Sequence, residues 1–205
     1  MFTGLVEAVG HLQSRESRGG DARMCFTVGE LATDSLALGE SIAVMGCCLT
    51  VVAYDAVSFA ADVSNESLAR TTLGDLGMGS AINLERAMLP TTRFGGHMVA
   101  GHVDGVGRVE SITQDGRAQR WKFSMPRDLA KYIAEKGSIC VDGVSLTVNA
   151  VDATAFEVAL IPHTLAHTAF AETAVGGEVN LEVDLVARHV ERLLAASAVG
   201  PRQMG

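Results

Sequence analysis

Apolar and β-branched residues come in short runs along most of this chain, separated by polar stretches that carry glycine. In the first half the runs fall at residues 4–12, 23–28, 41–45, 48–52, 57–63 and 81–85. Runs of that length and composition predict strands. The polar stretch 14–21 predicts a hairpin loop, and 31–38 a brief helix. Residues 66–71 predict one or two helical turns, with Asn65 as the candidate N-cap. Six short strands with so little helix predict a small all-β barrel.

The pattern then starts again. Gly46-Cys47-Cys48-Leu49-Thr50-Val51 is echoed by Gly143-Val144-Ser145-Leu146-Thr147-Val148, an offset of 97 residues. The same offset carries Gly4 to Gly101, Val9 to Val106, Phe59 to Phe156, and Asn83-Leu84-Glu85 to Asn180-Leu181-Glu182. A register that never drifts implies tandem duplication, and the period is one small domain rather than a solenoid unit. The expected organisation is one barrel over 1–90 and a second over 91–184, with residues 88–96 as the linker. In the second half, 129–134 looks helical and ends before Gly137, a candidate C-cap. A helix over 185–199 has no counterpart in the first half, and 200–205 is a tail. Val186, Val190, Leu193 and Leu194 form one apolar stripe on that helix. A lone helix is marginal in water, so the stripe must be covered, either by the barrels or between subunits. The second reading is preferred, because the helix is an appendage to the duplication.

Composition narrows the function. A net charge of −8 argues against nucleic acid, which requires a basic face. The sequence has no apolar run long enough to span a membrane, and residues 1–7 lack the basic start of a signal peptide. The four cysteines show no C-x-x-C spacing, and Cys47-Cys48 are adjacent, which fits reduced thiols in the cytoplasm. No G-x-G-x-x-G fingerprint or phosphate-cradling loop is present.

Several stretches together resemble the riboflavin synthase family (the alpha-chain, lumazine-binding double-barrel type). They are Met1-Phe2-Thr3-Gly4-Leu5-Val6-Glu7, Gly46 to Val51, Gly95-Gly96-His97-Met98-Val99-Ala100-Gly101-His102-Val103-Asp104-Gly105 and Lys136-Gly137-Ser138-Ile139. Val141 to Val148, Leu160-Ile161-Pro162-His163-Thr164-Leu165 and Asn180-Leu181-Glu182-Val183-Asp184 complete the set. The resemblance implies two tandem homologous six-stranded Greek-key β-barrels with a C-terminal α-helix, assembled as a homotrimer. It implies dismutation of two molecules of 6,7-dimethyl-8-ribityllumazine per site. One gives four carbons to the other, and the products are riboflavin and a ribitylamino-pyrimidinedione. No cofactor is expected, since oxidation of one substrate balances reduction of the other. The reaction site would form between the first barrel of one subunit and the second barrel of a neighbour. An antenna-type lumazine- or flavin-binding protein without turnover is the alternative.

Donor and acceptor play different parts, so the repeats should differ where chemistry occurs. Cys48 is matched by Ser145, and Asp184 by Ala87. Cys48 resembles the family's active-site cysteine, able to add to an electron-poor ring carbon; otherwise it is a structural thiol, as Cys47 beside it can be. His97 and His102 are candidate bases for the acidic C7 methyl of a lumazine, with loop histidines as the rival reading. Asp184 suits one half-reaction, or simply caps the final helix. Ser41 and Lys136 match family positions bordering the site, and Phe2, Thr3 and Gly4 an N-terminal segment tucked against it. The remaining substrate-binding candidates are Cys47, Thr50, Asp62 and Ser64 in the first barrel, and Thr147, Leu160, Pro162 and Thr164 in the second. His97 and His102 lack a third ligand at metal-site spacing, so no metal is expected. Met45, where the family often has Asn, and Ser64-Asn65-Glu66-Ser67 depart from the family's pattern.

Overall fold

The computed structural model describes residues 1–34 and 36–198. Strands β1 (Ala8–Arg18), β2 (Asp21–Thr27), β3 (Ser41–Val44), β4 (Cys47–Tyr54), β5 (Ser58–Val63) and β6 (Ala81–Arg86) form the first barrel, with helix α1 (Asn65–Arg70) after β5. All pairs are antiparallel in the order β1-β2-β5-β4-β3-β6, and β6 returns to β1 to close the barrel. The second repeat has strands β7 (Gly105–Asp115), β8 (Ala118–Ser124), β9 (Ser138–Val141), β10 (Val144–Val151), β11 (Ala155–Leu160) and β12 (Glu178–Val183). They close in the same Greek-key order, with α2 (Pro162–Ala166) after β11. Helix α3 (Leu185–Ala198) follows. The expected tail over 200–205 and the final position of the expected 185–199 helix lie outside the described residues.

Alternation sets the inside of each barrel. On β4, Cys47, Leu49 and Val51 face inward while Cys48 and Thr50 face outward. Phe26 and Phe59 pack at 5.3 Å between ring centroids in the first core. Trp121, Phe123, Phe156 and Phe170 fill the second, with Trp121 edge-on to Phe170 at 5.3 Å.

Local readings needed four corrections. The polar stretch 14–18 extends β1 and pairs with β2, leaving Gly19-Gly20 as the turn. Residues 31–38 hold turns, without a helix among those described; Leu31 and Leu36 are buried in the first core. Residues 129–134 hold only a 3-10 turn at Ala130–Tyr132, with Leu129 and Ile133 buried in the second core. In both cases apolar residues of a short connection fold back into the core, and only Leu129 and Ile133, four apart, imitate a helical stripe. Ser64, rather than Asn65, caps α1, accepting a hydrogen bond from the Ser67 amide at 3.1 Å.

The barrels join through contacts that obey the 97-residue offset. Phe2 pairs antiparallel with Val99, its own repeat counterpart, through two backbone bonds of 2.8 and 3.1 Å. Asn83 donates its side-chain amide to the Asp142 carbonyl and accepts from the Ala169 amide; Asn180 does the same with Met45 and Thr72. Gly46 and Gly143 face each other at φ +77° and +81°, and a Cβ on either would come within 3.0 Å of the other's backbone nitrogen. The barrels therefore meet like the halves of an isologous dimer.

One position breaks this symmetry. The fully buried Asp142 accepts a hydrogen bond from the Asn180 amide at 2.7 Å, whereas its counterpart Met45 offers only sulfur to Asn83 at 3.2 Å. Burial pushes the Asp142 carboxyl up to about 8, with the Asn180 bond opposing. The unfolded chain releases this proton near the ordinary aspartate value of about 3.9, so unfolding releases a proton between those values. Raising the pH from 4 toward 8 should therefore lower stability. Asp142→Asn keeps an acceptor for the Asn180 amide and removes the titration. Its melting temperature should match the parent near pH 4 and exceed it at pH 8–9 by at least about 2–4 °C, the equivalent of roughly 1 kcal/mol at this size. Parallel pH profiles for the two proteins would count against the assignment.

Candidate active site

The two outward-facing positions that differ between the repeats sit at equivalent places. Cys48 projects from β4 and Ser145 from β10, both half-buried. Each is held by a strap from the other barrel. The Ser145 amide donates to the Gly4 carbonyl at 2.7 Å, and the Cys48 amide to the Gly101 carbonyl at 2.8 Å. Gly4 and Gly101 have φ of +75° and +81°, and a Cβ on either would lie 2.6 Å from the β-carbon of the residue it covers. Glycine is required twice over, by conformation and by space. Each strap is clasped by a buried carboxylate. Glu85 accepts from the Thr3 amide and hydroxyl and from the Gly4 amide at 2.6, 2.7 and 3.0 Å. Glu182 accepts from the Ala100 and Gly101 amides at 2.6 and 3.0 Å. Burial raises both carboxyls, and these amide bonds hold them back.

Beside Cys48 is a cavity of about 350 Å³ lined by residues that include Ser67, Arg70, Thr71, His102 and Asp104. His102 also borders a second cavity of about 270 Å³, where Asp104 pairs with Arg188 of α3. Ser41 on β3 lies directly opposite Thr50 on β4, and both belong to the outer face of the first barrel. Cys47 turns into the core, where burial pushes its thiol up to about 11, so it is protonated and poorly nucleophilic at neutral pH.

In the second barrel, His97 Nδ1 lies 2.7 Å from Ser145 Oγ, and the His97 amide donates to the Thr3 carbonyl at 3.1 Å. His97 is 7% exposed, and its Nε2 is buried without a hydrogen-bond partner among the described residues. Burial lowers the His97 pKa, with the nearby Asp184 charge opposing, which favours the neutral imidazole. Asp184 Oδ1 accepts from the Val186 amide at 2.8 Å at the start of α3. Thr147 stands exposed on β10 opposite Ser138. Lys136 is exposed at φ +64°, where the first repeat has Gly39 at φ +85°.

The other candidates are less available. Phe2 is fully buried, and the Thr3 hydroxyl is committed to Glu85. The Leu160 side chain lies wholly in the second core, leaving only its main chain for contact outside. Asp62 is exposed and paired with Arg23 through two bonds of 2.7 Å, which hold its carboxyl below the usual range. Ser64 caps α1, Pro162 opens α2, and the Thr164 carbonyl accepts from the Thr168 hydroxyl at 2.7 Å. Sequence reasoning missed Glu85, Glu182, Asn83 and Asn180 as clasps. The available signal is the doubled Asn-Leu-Glu, which marks the repeat but does not say what its polar side chains hold.

Two closed barrels of one strand order, with a thiol at a position in the first where the second holds a serine–histidine pair, fit a tandem lumazine-binding-domain protein. The family model for the lumazine binding domain matches residues 3–87 and 100–184, in register with the internal repeat. The chain belongs to the riboflavin synthase family. It is 48% identical over 194 residues to the riboflavin synthase of Photobacterium phosphoreum, covering 95% of this chain and 89% of that one. It is 45% identical over 201 residues to that of Mycobacterium bovis, covering 96% and 100%. For Bacillus subtilis the identity is 40% over 194 residues, covering 95% and 90%. Among solved structures, LumP complexed with riboflavin superposes with a TM-score of 0.82, covering 89% of this chain and 99% of that one. LumP complexed with 6,7-dimethyl-8-(1'-D-ribityl) lumazine gives 0.80, with the same coverage. At 24% identity this is a likeness of fold.

Proposed function

We propose that the protein is a transferase that converts two molecules of 6,7-dimethyl-8-ribityllumazine into riboflavin and 5-amino-6-ribitylamino-pyrimidinedione by four-carbon transfer. The observation that carries this reading is the pair of equivalent positions that hold a thiol in one barrel and a serine–histidine pair in the other. A molecule reacting with its own copy needs two like pockets with unlike chemistry. Holding both copies makes the encounter effectively unimolecular, worth up to roughly 7–11 kcal/mol of barrier. In this reading His97, kept neutral by burial and oriented by Ser145, takes a proton from the C7 methyl. Cys48 stands where it can add to, or hydrogen-bond at, an electron-poor ring carbon, with His102 beside the same cavity. Asp184 balances charge near His97. Ser41, Thr50 and Thr147 supply hydroxyls on the outer faces of the barrels. A pure binder would need one competent pocket and would have no use for the second.

We infer a homotrimer, the assembly the family resemblance implies, and α3 supports association between copies. This helix is fixed by its polar side, through Glu191 to Lys131 and Tyr132 and through Arg188 to Asp104. Val186, Val190, Leu193 and Leu194 are left 48–68% exposed. Further copies of the chain would cover that stripe and bring the first barrel of one subunit against the second barrel of the next. The cytoplasm is the proposed compartment, where four free cysteines fit a reducing environment. Neither nucleic acid nor membrane is among the proposed partners. Among the described residues, no helix is long and apolar enough to cross a membrane.

The test is incubation of the purified protein with dimethyl ribityllumazine alone, with riboflavin appearance followed by absorbance. Riboflavin should form without added cofactor; tight binding without product would favour the antenna reading. Lys136 gives a subsidiary expectation. A left-handed non-glycine residue costs about 1–2 kcal/mol, and glycine gives back about 0.5–1 through chain entropy. Lys136→Gly should therefore leave stability nearly unchanged or slightly raised. If its ammonium donates a charge-assisted bond to substrate, turnover should fall by about tenfold or more. Unchanged turnover would remove Lys136 from the site.

A further inference from the structure

The two clasps act across the barrels rather than within them. Glu85 lies on β6 of the first barrel, where Oε1 accepts from the Thr3 amide and hydroxyl and Oε2 from the Gly4 amide. Both strap residues spend their carbonyls on the pair opposite. Thr3 accepts from the His97 amide at 3.1 Å, and Gly4 from the Ser145 amide at 2.7 Å. Those are the two residues whose side chains meet, with His97 Nδ1 at 2.7 Å from Ser145 Oγ. One carboxylate therefore fixes the backbone beneath both halves of that contact. Glu85 is 5% exposed and Thr3 3%, so little solvent reaches the bonds between them. The packing is equally close. A Cβ on Gly96, the residue before His97, would lie 2.0 Å from the Thr3 carbonyl oxygen and 3.1 Å from Ser145 Oγ. A strap that shifts must move His97 with it.

We propose that Glu85, a first-barrel residue, is a positioning residue for the chemistry of the second barrel, holding the Thr3-Gly4 strap so that His97 and Ser145 keep their contact. The inference rests on the reaction assigned above, in which His97 is the base. Glu85 acts through the strap: its oxygens are spent on Thr3 and Gly4, not on a reacting group. A base must be aligned with the proton it takes, and a misplacement of about 1 Å can cost on the order of 100-fold in rate. Three donors point at the side chain, and an ionised carboxylate accepts at both oxygens. Glutamine has nearly the same shape but one oxygen and one amino group. Its amino group must face either the Thr3 donors or the Gly4 amide, donor against donor, so Glu85→Gln loosens the strap without emptying space. Glu182 stands in the same relation to Cys48, through the Gly101 amide it accepts from and the Gly101 carbonyl that receives the Cys48 amide. The two clasps should therefore fail on opposite barrels.

The experiment joins residue-resolved hydrogen exchange with a mutant cycle on the full chain. In Glu85→Gln the Ser145 amide should exchange at least about tenfold faster than in the parent, while the Cys48 amide keeps its rate. Glu182→Gln should reverse that pattern. Riboflavin formation by Glu85→Gln should fall about ten- to 100-fold. The same factor should appear in a Cys48→Ser background, since independent sites add, and shrink below about threefold in a His97→Ala background, where no base is left to position. Thr3→Val removes only the hydroxyl bond to the clasp and should show the same pattern at smaller size, which guards against a folding failure in Glu85→Gln. An equal loss in both backgrounds, or exchange that quickens at Ser145 and Cys48 together, would overturn the proposal and leave Glu85 a structural residue. A parent that makes no riboflavin would instead overturn the reaction assigned above, and the exchange pattern would still decide whether Glu85 holds the pair.

Discussion

Replacing Cys48 with alanine is expected to lower turnover by about two orders of magnitude or more while the barrels stay folded. The range for losing a positioned acid, base or nucleophile is roughly 10²–10⁴-fold. Stability should fall only slightly, because Cys48 faces outward from β4 and its half-buried side chain only borders the apolar cluster of Phe2, Ala43, Val99 and Cys140 between the barrels. Its strand remains pinned by the Gly101 carbonyl through a backbone bond that the substitution leaves in place. Cys48→Ser is the sharper version, since it gives the first barrel the residue the second already has. If unlike pockets drive the reaction, serine should be nearly as damaging as alanine, and both variants should still bind lumazine. Near-normal turnover in either, measured by riboflavin formation with melting temperature as the folding control, would take Cys48 out of the chemistry.

The second large effect is expected from ending the chain after Asp184. Helix α3 has no buried residue through Ser197, so its removal should leave both cores standing. What goes is the exposed apolar stripe and its ties to Asp104, Lys131 and Tyr132. Sedimentation should show the truncated protein as a smaller species than the full chain. Turnover per chain should fall by at least about 100-fold, because reactants on separate subunits lose the proximity that holding them together supplies. Monomers that remain fully active would contradict a site shared between subunits.

The duplication made the architecture legible. An offset that runs unbroken from Gly4 and Gly101 to Glu85 and Glu182 requires two copies of one barrel, and both closed in the same strand order. Residues 31–38 misled because Leu31 and Leu36 fold back into the core rather than form a helical face. A periodicity argument sees which positions are apolar, but not what they cover. The unlike positions Cys48 and Ser145 could be read directly by laying one repeat over the other. The crossing of the straps could not. Gly4 and Gly101 are equivalent whether each lies on its own barrel or on its neighbour's, and only coordinates show the exchange. For the same reason the His97–Ser145 contact, spanning 48 residues, left no local mark. In the sequence Glu85 and Glu182 read as strand ends, although each carboxylate holds the strap that covers Ser145 or Cys48.

Stoichiometry tests the central claim most directly. Fluorescence titration of the slow Cys48→Ser variant with dimethyl ribityllumazine should saturate at two ligands per chain, one for each barrel. Saturation at one, with the other barrel empty at any concentration, would contradict the account.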